Sequence, residues 1–228
     1  MDALDRPVWA SLAGPHAPLS TGGPLARRYP GDVSLFASAL DDSAQAQAAL
    51  ADLVRPGERI FIAQRADIVV PPGLVLLRHG RCLQMLAAVP LRDEAGSPEL
   101  QALGDQDAAD MLCLARLTEP GPFQPRTHTM GRFLGVRDQG RLVAMAGERF
   151  RLPGFTEVSG VCAHPQWRGR GLARRLSTAV AAHIQARGET PFLHAWDSNH
   201  AAIALYRSMG FDVRCELNVA VLERPVAG

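Results

Sequence analysis

Residues 156–187 constrain this chain more than any other stretch. They read TEVSGVCAHPQWRGRGLARRLSTAVAAHIQAR. The first eight residues are small or apolar on both faces near their end, which predicts a central strand. The last part carries Leu172, Leu176, Val180 and Ile184 at every fourth position, which predicts an amphipathic helix lying on a sheet. A strand that passes through a bare turn into such a helix belongs to a layered α/β fold. The turn itself is glycine-rich and cationic, with Gly169 and Gly171 set among Arg168, Arg170, Arg174 and Arg175. Helix starts present unpaired N–H groups and the positive end of the dipole, and glycine lets an anion approach the backbone. The stretch therefore predicts an anion site, with a pyrophosphate as its natural guest.

The rest of the chain narrows the ligand. A dinucleotide fingerprint G-x-G-x-x-G fails at Arg174, and a phosphate-loop lysine is absent because all 24 basic residues are arginine. The same absence removes lysine Schiff bases and lysine nucleophiles. A net charge of +1 and the lack of interleaved aromatics argue against nucleic acid. Cys82, Cys113, Cys162 and Cys215 lie far apart with no metal-ligand spacing, so they read as reduced core cysteines, with no metal and no disulfide framework. The N-terminal residues carry acids and prolines where a leader peptide needs an apolar run, and no stretch has the length of a membrane span. The expectation is a cytoplasmic protein without membrane partners.

Along the chain, residues 41–54 predict a helix capped by Asp42 or Ser43, after thirty Pro/Gly-rich residues of weak pattern. Residues 58–64 and 73–78 predict strands, and 82–89 fit either a strand or a buried helix. The apolar pattern lapses over 91–105, which suggests a boundary: an N-terminal α/β region, 1–100, and a second domain, 101–228. The second half predicts a helix at 105–117 capped by Asp105 and ended by EPGPF. Two strands follow over 132–150 around Asp138-Gln139-Gly140, then a strand at 191–197, a helix from Asn199 to Met209, and one or two final strands.

The turn fits the pattern R/Q-x-x-G-x-G/A as Arg168-Gly169-Arg170-Gly171-Leu172-Ala173, and NHAAIALYRSMGF follows at 199–211. In these two motifs the chain resembles the GNAT superfamily of acyl-CoA-dependent N-acyltransferases, over roughly residues 105–224. The resemblance implies a GNAT fold, a mixed central sheet flanked by helices, with 1–100 as an added region that could be a degenerate second GNAT half. It implies acetyl-CoA as donor, its pyrophosphate held by residues 168–173. Its arm would run beside the backbone of Val161 and Ala163, and Asn199 would bond it. Tyr206 would protonate the leaving thiolate as general acid. On a helix Asn199 and Tyr206 share one face, about 10 Å apart.

Acyl transfer needs a free amine, and so a base, directly or through water. Glu157, at the start of the central strand, is the first candidate, with Glu148, His194 and Asp197 as alternatives. The expected reaction is direct N-acetyl transfer to a primary amine in a ternary complex. The acceptor is a small molecule or a protein amine, no metal is needed, and a homodimer is carried as the assembly guess. The rival reading is a non-catalytic GNAT-fold module that holds acyl-CoA.

Overall fold

The computed structural model describes residues 2–91 and 100–226. The chain opens with α1 (Pro7–Leu12), then the short strands β1 (Thr21–Gly22), β2 (Ala26–Arg28) and β3 (Ala37–Ala39), which pair into a small sheet of their own. Sequence periodicity shows none of these, because each is shorter than the window in which a period can be read. Helix α2 (Ala44–Asp52) follows, and Ser43 caps it by accepting from the Ala46 N–H at 3.3 Å.

An eight-stranded mixed sheet forms the body. Its strands are β4 (Arg59–Gln64), β5 (Val75–Ala87), β6 (Gln101–Leu103), β7 (Phe133–Asp138), β8 (Arg141–Leu152), β9 (Phe155–Ala163), β10 (Thr190–Trp196) and β11 (Phe211–Glu223). They lie in the order β4-β11-β5-β10-β9-β8-β7-β6. The pair β9–β10 is parallel and its neighbours are antiparallel. Residues 73–78 and 82–89 thus belong to one long strand, which settles the second as strand, and the final stretch is a single strand. β5 hydrogen-bonds to β10 on one side and β11 on the other, so the sheet runs across the boundary drawn at residue 100. Part of the weakly patterned stretch 91–105 lies outside the described residues; Gln101–Leu103 within it forms the edge strand β6.

Three helices complete the layers: α3 (Ala108–Thr118), α4 (Leu172–Ala186) and α5 (His200–Ser208). The cap before α3 differs from expectation. Asp107, not Asp105, accepts from the Gly104 N–H at 3.0 Å, while Asp105 accepts from His128 at 2.8 Å. A short 3-10 turn over Asp105–Asp107 intervenes, and Asp107, at the N-cap position of α3, bonds back to the start of that turn and makes no side-chain cap to α3. On one face of the sheet Leu172, Leu176, Val180 and Ile184 pack with Leu134, Val158 and Phe211. On the other, Met111, Leu114 and Ala115 of α3 meet Phe133, Met145 and Cys162. Neighbours such as Phe133 and Leu134 thus serve opposite faces, as the pleat requires. Beside α3, the N-terminal region adds Leu4, Val8, Leu12, Tyr29 and Phe36 against Phe150 and Phe192. Of the cysteines, Cys82 and Cys162 are buried, Cys215 is half-buried and Cys113 is exposed, so the core assignment fails for Cys113, which lies on the outer side of α3.

Candidate active site

The site begins where two strands part. β9 and β10 pair only at Phe155–Glu157 with Thr190–Phe192. Beyond Glu157 the next residues of β9 have no partner on that side, although β8 still holds the other edge. The cause is local. Opposite β8 the register slips, so that Gly160 and Val161 together face Ala146, a β-bulge. Gly160 takes φ 63°, a left-handed conformation that side-chain-bearing residues rarely adopt. The bulge turns β9 away from β10 and leaves the backbone of Val161 to Ala163 facing a gap.

A cavity of about 540 Å³ occupies that gap. It is lined by Val161, Ala163, Arg168, Gly169, Gly171, Leu172, Ala173, Asn199 and Tyr206, which the sequence had nominated from separate stretches. Arg170 stands outside the lining, its guanidinium 5.8 Å from the Trp167 ring centroid. At the mouth, Gly169 and Gly171 have φ 76° and 75°, and a side chain added at either would meet no protein atom within 4 Å. Helix α4 has no side-chain cap, so its first N–H groups look out over this bare turn. Its apolar stripe is buried, which holds that end still. The turn is a cradle of anion-binding shape, with backbone donors, a dipole and open space where side chains would intrude.

Two side chains of α5 reach the same cavity. Asn199 caps the helix through Oδ1, which accepts from the Ala202 N–H at 3.1 Å, and its amide nitrogen has no hydrogen-bond acceptor among the described residues. Tyr206 is buried, and burial pushes its phenol up to about 12 against the weaker opposing effect of the Ser177 hydroxyl. That hydroxyl is buried with no geometric hydrogen-bond partner among the described residues. The phenol therefore keeps its proton at neutral pH.

The base candidates are placed differently. Glu157 is fully buried and stands outside the lining. Arg149 grips it with two bonds of 2.7 and 2.6 Å, and His194 Nδ1 donates to it at 2.7 Å. Burial pushes its carboxyl up, but Arg149 and His194 outweigh burial and hold it at about 2. A carboxylate so committed is a poor base at neutral pH. Glu148 is buried in a pair with Arg187 at 2.8 Å, and Asp197 is exposed; neither lines the cavity. His194 does line it, but both ring nitrogens are occupied. Gln84 Oε1 takes a bond from Arg214, so its amide faces the Leu4 carbonyl and His194 Nε2, at 2.9 and 3.1 Å. His194 Nε2 must then accept, which puts the ring proton on Nδ1.

Beyond the glycine turn the cavity reaches Phe36, Phe61, Phe150 and Trp196, which come largely from the N-terminal region and its neighbours. It also meets Thr118, Glu119, Pro120 and Pro122. EPGPF carries the signal of a helix stop, and Glu119 within it is a lining residue that was not among the sequence candidates. The available signal was a glutamate at the position after a helix where glycine is usual.

Comparisons with known proteins bear on the family. The profile of the FR47-like protein family matches residues 133–219. A crystal structure of a GNAT-family protein from Novosphingobium aromaticivorans is 42% identical, with a TM-score of 0.92, over 99% of this chain and 100% of that one. The N-alpha-acetyltransferase RimI of Mycobacterium tuberculosis is 40% identical over 82 residues, 35% of this chain. Mycothiol acetyltransferase of Thermobispora bispora is 43% identical over 56 residues, 24% of this chain. The matches span 51% of the first of these two curated relatives and 19% of the second.

Proposed function

This chain belongs to the GNAT superfamily of N-acetyltransferases, and from that premise we propose that it moves an acetyl group from acetyl-CoA to a primary amine by direct transfer in a ternary complex. The observation that carries the reading is the parting of β9 and β10 over a cavity that opens on an uncapped, glycine-lined helix start.

Each residue then has a task. Gly169, Gly171, Leu172 and Ala173 turn backbone N–H groups toward a pyrophosphate, and Arg168 adds charge at the mouth; Arg170 acts at a distance, from its place over Trp167. Acetyl-CoA, when bound, supplies the activated thioester. Val161 and Ala163 hold its arm as an added strand would be held, through the edge that β10 leaves free. A backbone N–H at the bulge polarises the thioester carbonyl in the manner of an oxyanion hole. Asn199 bonds the arm and Tyr206 stands beside the sulfur. A phenol at about 12 is a weaker acid than a thiol, so Tyr206 helps chiefly by donating a hydrogen bond to sulfur as the N–C bond forms and the C–S bond breaks, and the proton shed by the amine leaves through water, from which the thiolate is protonated. Glu157 fixes Arg149 and His194 and acts as a positioning residue.

Thermal unfolding with acetyl-CoA, CoA and ATP tests the cradle. A ligand at a hundredfold its Kd stabilises by about 2.7 kcal/mol. A shift with both CoA species and none with ATP is expected, followed by CoA-thiol release on a panel of primary amines. No shift overturns the cofactor site. A shift with no thiol released on any amine would leave only a CoA-binding module.

A further inference from the structure

Among the described residues that line the cavity, Glu119 is the one carboxylate, and it is exposed; the other charged lining groups are Arg149, Arg168 and Arg174, with His194 beside them. Its carboxylate has no hydrogen bond or ion pair among the described residues. Arg149, by contrast, is neutralised by Glu157, while Arg168 and Arg174 flank the glycine turn, where Arg168 donates to the Ala163 carbonyl and Arg174 to the Ser208 hydroxyl.

The backbone there is unusual. Glu119 closes α3 in a left-handed conformation, φ 48° and ψ 55°, its N–H donating to the Ala115 carbonyl at 2.8 Å. One other non-glycine residue in the described chain has positive φ, Gln139, and it sits in a hairpin turn that demands it. A helix end of this kind favours glycine, and a glutamate there costs stability. Strain kept at a cavity wall points to use. Pro120 and Pro122 stiffen the chain just after it, so little freedom is left to lose when a ligand binds.

We propose that Glu119 is the docking carboxylate for a cationic amine acceptor whose apolar part lies against Phe36, Phe61, Phe150 and Trp196. The word acceptor rests on the acetyl-transfer reading; the binding site does not. An amine reaches the protein as an ammonium, and a carboxylate with no cation of its own is the group to receive it. The aromatic wall at the same cavity suits an arylalkyl body better than a chain with several charges.

The test is calorimetric titration of the protein, with and without saturating CoA, using phenethylamine as probe and phenylacetate as its anionic counterpart. Wild type is expected to bind phenethylamine at least tenfold more tightly than phenylacetate. Glu119→Gln should weaken phenethylamine at least tenfold and leave CoA affinity unchanged. Glu119→Gly should lose the same affinity yet melt about 2 °C higher, because the left-handed strain is relieved. Failure of wild type to bind phenethylamine, or equal affinity in wild type and Glu119→Gln, overturns the proposal. Binding that depends on Glu119 without any thiol release from acetyl-CoA would uphold it and remove the transfer reaction instead.

Discussion

Replacing Gly171 with alanine separates the two jobs assigned to the glycine turn. Gly171 has φ 75° and occupies the N-cap position of α4, without capping it. An L-residue in that conformation costs about 1–2 kcal/mol. A chain of 228 residues unfolds with an entropy of roughly 0.5 kcal/mol/K, so the free protein should melt about 2–4 °C lower. No steric penalty adds to this, since the new methyl would meet no protein atom within 4 Å. That open space is where an anion would sit. Wild type with CoA at a hundredfold its Kd should gain about 2.7 kcal/mol, or about 5–6 °C. The variant at the same CoA concentration should gain less than half of that. Differential scanning fluorimetry with and without CoA reads both numbers. A full CoA shift in the variant would refute the cradle, and an unchanged melting point without ligand would refute the backbone argument.

Tyr206→Phe should lower kcat more than tenfold and leave acetyl-CoA affinity nearly unchanged, because the hydroxyl matters as thiolate charge forms; equal losses in steady-state kcat and in measured Kd would rule the role out. Glu157→Gln leaves Arg149 buried without its counter-charge, and should destabilise by about 3–5 kcal/mol in urea unfolding. Glu157 titrates at about 2 in the folded chain against 4.5 ordinarily, so its contribution is complete above 4.5 and is lost as pH falls from there toward 2. Stability followed through that window should drop in wild type and stay flatter in Glu157→Gln; parallel curves would mean that other carboxylates govern acid unfolding.

Most of the second half could be read from local chemistry. The hairpin at Gln139-Gly140, with φ 46° and 81°, the stripe of α4, and the helix from Asn199 all carry short-range signals. The cradle was legible for the same reason, since glycines, helix start and arginines are contiguous. What could not be read depends on distance. The position of β5 between β10 and β11 is set by partners more than a hundred residues away. Glu157 opens a strand at the site, so a base was a fair reading; its bonds to Arg149 and His194 come from two other strands. Glu119 was masked because its neighbours, prolines and a glycine, already explained the helix end.

The threading of β5 has a consequence for how the chain acquires its shape. Its two neighbours in the sheet are the last strands to be made, β10 and β11. During synthesis β5 emerges with both edges unpaired, and it waits until residues 190–223 have left the ribosome. Such long-range closure makes folding slow and exposes a naked strand meanwhile. Val75, Leu76 and Leu77 remain exposed even in the finished fold. A nascent chain arrested before residue 190 should therefore be captured by chaperones or self-associate through β5, and a separately supplied C-terminal fragment carrying β10 and β11 should rescue it.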